Sequence, residues 1–145
     1  MLAKLMSGCV AAGFALTMLG AMPTIATAAP KAGFLAVKQV GNAVTFKLKI
    51  RGFRPDGASV GKANRAGVGH IHFQMDSGAY DYPQYSGPNG VLAAKLGIAG
   101  KYSPSATPTI TYTNLAKGPH RLVAYLVNND HSQNGGFALI KFTVK

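Results

Sequence analysis

Gly69-His70-Ile71-His72-Phe73-Gln74-Met75-Asp76 alternates polar and apolar residues without a break. Ile71, Phe73 and Met75 share one parity; His70, His72, Gln74 and Asp76 share the other. Period two is the pattern of a strand with one face on a core. The pattern predicts that the apolar row packs inward and that both imidazoles project from the opposite, surface-facing side. Two residues apart on a strand, they stand ~6.5 Å from one another and point the same way. That spacing can bring two nitrogens to one metal ion. It can also be nothing more than a strand surface.

Outward from this strand, the same alternation recurs. Ala43 to Arg51 places Val44, Phe46, Leu48 and Ile50 inward and Thr45, Lys47, Lys49 and Arg51 outward. Phe34 to Val40 reads as the strand before it, joined by a Gly41-Asn42 turn in which both residue types tolerate positive φ. Thr109 to Asn114 and Phe137 to Lys145 alternate as well, the latter with Ala138, Ile140, Phe142 and Val144 inward. His120 to Asn128 is apolar on both parities, as expected of a central strand covered on both sides. Gly52 to Gly69 reads as a long polar loop. Ser77 to Gly90 is a loop rich in Gly, Pro and Tyr. Val91 to Lys95 reads as an edge strand or a single helical turn, and Leu96 to Pro108 as loop. About seven short strands with frequent turns, and no helix of useful length, predict an all-β antiparallel sandwich.

The chain has 145 residues and one cysteine, Cys9. Lys4 precedes an apolar run from Leu5 to Ile25, and Ala26-Thr27-Ala28 follows. A positive start, an apolar middle and an A-x-A exit are the marks of a secretory signal peptide. We therefore expect a signal peptide over residues 1–28, a single domain over residues 29–145, and a periplasmic or secreted protein with no membrane span after cleavage. Gly8, Gly13, Gly20 and Pro23 interrupt the run, which argues against a retained anchor. Without Cys9 the mature chain has neither disulfides nor thiolate ligands, which rules out a blue-copper centre.

The formal net charge is +11, with Asp56, Asp76, Asp81 and Asp130 as the only acids and no Glu or Trp. Such charge suits an anionic cell-envelope surface. Nucleic-acid binding usually interleaves aromatic residues with the cations for base stacking. The Lys47, Lys49, Arg51 row has none, so a specific nucleic-acid partner is not expected. Tyr80, Tyr82 and Tyr85 could stack a glycan or peptide, or could fold down over a sheet edge.

In a sandwich of this kind the third and sixth strands are antiparallel neighbours. The start of the His-x-His strand then lies beside the end of His120–Asn128, near the loop carrying Asn128, Asp130 and His131. His120 falls at the far end and is read as structural. The expected metal ligands are His70, His72 and His131, with Asp130 or Asn128 as a further partner. All-imidazole sites suit copper, zinc and nickel. No nucleophile–base arrangement or carboxylate pair is present, so an enzyme is not expected.

The succession Gly-His-Ile-His-Phe-Gln-Met-Asp, Lys-Gly-Pro-His and Asn-Asp-His-Ser over residues 40 to 145 resembles a group of small exported bacterial domains of unknown function. Those domains carry a Gly-His-x-His strand, a Gly-x-His turn and a late Asp-His. The resemblance implies an immunoglobulin-like or cupredoxin-like sandwich. A looser likeness is to CopC-type periplasmic copper carriers, which have a late Asp-x-His before the last strand. Here Asn129 and His131 fall at those places, with Asp130 between them. Those carriers also use a histidine at the mature N-terminus. Ala29 or Pro30 would stand there in this chain, and His70 and His72 would have to take over. The histidine set itself gives the first reading, a periplasmic carrier or buffer of a divalent metal, copper first because it tops the affinity order for nitrogen ligands and zinc second. The alternative from composition is a metal-free adhesion module for anionic wall polymer or glycan.

Overall fold

The computed structural model describes residues 28–145. The expected signal segment, apart from Ala28, lies outside the described residues. Eight strands run in chain order: β1 Lys31–Val40, β2 Ala43–Arg51, β3 Arg54–Pro55, β4 Val68–Met75, β5 Ser103–Ser105, β6 Thr109–Tyr112, β7 Gly118–Val127 and β8 Gln133–Val144. One nine-residue helix, α1 Gly87–Lys95, lies between β4 and β5. Among the described residues, no helix is long and apolar enough to cross a membrane.

The strands form two sheets. One has the order β1-β2-β6; the other has the order β3-β4-β7-β8, with β5 also pairing to β4. Val44, Phe46 and Leu48 of β2 and Ile110 and Tyr112 of β6 form one wall of the core. Ile71, Phe73 and Met75 of β4 and Leu122, Ala124 and Leu126 of β7 form the other. The β2, β6 and β4 rows are those predicted from alternation; on β7, apolar on both parities, the structure turns the Leu122, Ala124, Leu126 row to the core. Ile50, Ile140 and Phe142, also expected inside, are partly buried at its margin. Phe46 meets Phe142 edge to face at 4.9 Å between ring centroids.

The element boundaries differ from the sequence reading in several places. Lys31–Gly33, ahead of the strand read from Phe34, also pairs, with Arg51–Lys49. The last strand begins at Gln133 rather than Phe137. The 96–108 segment contains β5, whose Ser103 and Pro104 sit opposite Phe73 and His72. Finally, the piece around Val91 is neither an edge strand nor a single turn but belongs to α1. Ser86 precedes that helix and Pro occupies its first turn, where a missing N–H costs nothing.

The Phe73 ring is fully buried. Phe73→Ala should lower stability by about 3–5 kcal/mol in urea unfolding. A loss below about 1 kcal/mol would show that the ring does not carry the core.

Candidate metal centre

β4 and β7 are antiparallel neighbours, with His70 opposite Val127 and Met75 opposite Leu122. The start of β4 therefore lies beside the end of β7. Gly69 makes the approach possible: a Cβ there would lie 2.0 Å from the Val127 carbonyl oxygen. Only glycine fits so close to a neighbouring backbone.

His70 and His72 occupy the face of β4 turned away from the core. The third ring comes from the turn after β7. His131 has a left-handed backbone, φ 67°, unusual for a residue with a side chain. Its N–H donates to the Asn128 carbonyl at 3.0 Å, and the Asn128 N–H donates to Ser132 at 2.8 Å. Asn129, fully buried, donates its amide to the Ala63 carbonyl at 2.8 Å and anchors this turn to the 56–67 loop.

The three rings meet nitrogen to nitrogen. His70 Nε2 lies 2.9 Å from His72 Nε2 and 3.0 Å from His131 Nδ1, and the latter two are 3.2 Å apart. An ion at ordinary metal–imidazole distance, ~2.0–2.1 Å, would sit ~1 Å above the plane of that triangle. Asn89 Oδ1 contacts His131 Nε2. An amide oxygen only accepts, so this nitrogen carries the proton and Nδ1 presents a lone pair to the centre. Tyr85 Oη is 3.2 Å from His72 Nε2.

The histidines are not surface ligands, as the alternation alone suggested. His70, His72 and His131 are only 2%, 3% and 6% exposed. The 77–102 segment folds over them. Tyr85 packs on His72 and His131 with ring centroids at 5.9 and 5.2 Å, and Tyr102 packs on His72 at 5.2 Å. Asp81 pins this cover, accepting from Tyr112 Oη at 2.6 Å, Ser103 Oγ at 2.8 Å and the Met75 N–H at 3.0 Å. The tyrosine loop thus packs down over the sheet.

Burial sets the electrostatics. Removal from water holds His70 down to about 3 and His72 to about 2, and the neighbouring histidines add to the effect. His131 is lowered by the same burial, with nearby Asp130 opposing. All three rings are therefore neutral at pH 7, which is the ligand form.

Asp130 does not join the group that could hold an ion, which consists of His70, His72 and His131. It is exposed, and its oxygens accept from Asn64 Nδ2 at 2.8 Å and from Ser132 N and Oγ at 3.0 and 2.6 Å. Asp130 shapes the turn that carries His131. Asn128 donates to Ser132 Oγ at 3.0 Å and does the same. His120 lies at the other end of β7, between Asp76 Oδ2 at 2.6 Å and the Ala116 carbonyl at 2.7 Å.

Compared with protein-family models, with curated proteins and with solved structures, the chain has no match.

Proposed function

We propose that this chain is an exported copper-binding protein of the immunoglobulin-like, cupredoxin-like type, with zinc as the second-ranked ion. The observation that carries the reading is the buried triangle of ring nitrogens at 2.9, 3.0 and 3.2 Å. Three lone pairs so close repel one another unless a proton or a cation lies among them. The protein nevertheless fixes them there, with a left-handed residue at His131, a glycine-only contact at Gly69 and an amide that sets the His131 tautomer. An all-nitrogen donor set favours copper, which tops the affinity order for such ligands. The A-x-A exit after an apolar run supports export. With no acid–base pair at the centre, the role is that of a carrier or buffer rather than a catalyst.

A second reading, a metal-free module for anionic envelope polymer, is favoured by the exposed row Lys47, Lys49 and Arg51 on β2. Native mass spectrometry of residues 29–145 with added Cu(II) or Zn(II) separates the two. The expected result is one ion per chain, with copper displacing zinc. Mass unchanged by either ion would leave only the second reading.

A further inference from the structure

The charge around the centre is unbalanced, and every acid in the chain is committed elsewhere. Asp56 caps a short turn through Ala58 N at 3.1 Å and Ser59 Oγ at 2.9 Å. Asp76 holds His120 and accepts from the Arg121 N–H at 2.8 Å. Asp81 is bound to Tyr112, Ser103 and Met75, and Asp130 to Asn64 and Ser132. The sequence contains no further acid. A divalent ion held by three neutral rings would keep its full +2 in a water-poor setting on a strongly basic chain. Uncompensated buried charge of that size is costly. Three protein ligands also leave a tetrahedral ion one open position.

The structure offers a place for the missing negative charge. A recess of about 40 Å³ is lined by His72, His131, Tyr102, Tyr125, Ile98 and Gln133. It touches two of the three rings. Its volume holds about one to three water-sized atoms. Tyr102 and Tyr125, with ring centroids 6.0 Å apart, form part of its wall. A second, larger recess, about 280 Å³, reaches only His70 among the three rings.

We propose that the bound metal takes a small inorganic anion as its fourth ligand, hydroxide or another species of about one to three heavy atoms, seated in the recess between His72, His131 and the Tyr102–Tyr125 pair. This rests on the metal reading above and adds the class of molecule the centre accepts. The coordination is a simple addition: an anion lone pair forms the fourth bond, and either a water or nothing leaves. Tyr85 is the competing donor, because its oxygen is already 3.2 Å from His72 Nε2.

The test uses the Cu(II)-loaded mature chain, followed by visible absorption and electron paramagnetic resonance, with azide and acetate as probes. The expected result is a saturable azide-to-copper charge-transfer band and a shifted resonance, with no response to acetate. Tyr102→Ala, which widens the recess, should gain an acetate response in whatever fraction of the chain is copper-loaded. Wild type responding equally to acetate would overturn the size limit and place entry at the His70 recess. No response to azide, together with a phenolate-to-copper band that Tyr85→Phe removes, would make Tyr85 the fourth ligand and overturn the proposal. The azide arm needs no variant, so a misfolded Tyr102→Ala leaves the proposal falsifiable. A chain that takes up no copper in mass spectrometry sinks the metal reading itself, a different outcome from copper uptake without anion binding.

Discussion

Replacing either His72 or His131 by alanine should abolish stoichiometric Cu(II) binding in isothermal titration, while His120→Ala leaves it intact. Each of the first two changes removes one of three converging nitrogens. Water entering the gap cannot restore a donor that the fold had positioned at no further entropic cost. His120 lies seven positions before Val127, at the end of extended β7 away from the centre, and is held by Asp76 and Ala116. Between these extremes lies Asn89, which touches no ion but fixes the His131 tautomer. Asn89→Ala should weaken binding about 10- to 100-fold, as is usual for groups that orient a ligand ring. That gradation is the signature of a built site. Equal binding by all three histidine variants would mean that the rings are structural and any uptake occurs elsewhere.

The frame of this centre was legible because it is written in period two. The parity of Ile71, Phe73 and Met75 located the core face, and antiparallel adjacency of two strands brought His131 to the His-x-His pair across 59 residues. What the alternation could not show is that the opposite face is covered as well. Burial of His70 and His72 depends on the 77–102 segment, and that segment is held by single polar contacts of Asp81 and by the short strand β5. Neither leaves a periodic trace. Gly87-Pro88-Asn89-Gly90 reads locally as a turn, since each of these residues favours turns. The signal that could have found α1 was the start itself: Ser86 followed by an early proline and then Val91, Leu92 and Ala93. Asn89, the residue that orients His131, was missed with the helix that carries it. Asp130 stands beside His131 in sequence, which is all that links it to the centre. An aspartate at a turn more readily bonds its own backbone and neighbours than a distant centre, and Asp130 does so with Ser132.

The copper-free protein should lose stability steeply in acid, in a direction set by the depressed histidines. In the unfolded chain each imidazole titrates near 6.5. In the fold His70 is held to about 3 and His72 to about 2 by burial, reinforced by the neighbouring rings. Below about pH 6.5 the unfolded state therefore binds protons that the folded state refuses. Stability falls by about 1.4 kcal/mol per pH unit for each such ring. Two rings over two units remove about 5 kcal/mol, which is the whole stability of a marginal domain. His120 runs the other way. Burial opposes its charge, but the Ala116 carbonyl and Asp76 outweigh it and raise its affinity for a proton. Its contribution is complete below about 6.5 and fades as pH rises through its folded value. His120 can only soften the acid loss, because one favourable proton is set against those refused by His70, His72 and His131. Urea unfolding of the copper-free chain between pH 7 and pH 4.5 should show the midpoint dropping throughout, and a His72→Leu variant should show a shallower slope. Copper in excess should raise the curve most near neutral pH, where the rings are free to bind. A copper-free midpoint that stays flat from pH 7 to pH 5 would mean the rings accept protons inside the fold, and that the cover over them opens to water.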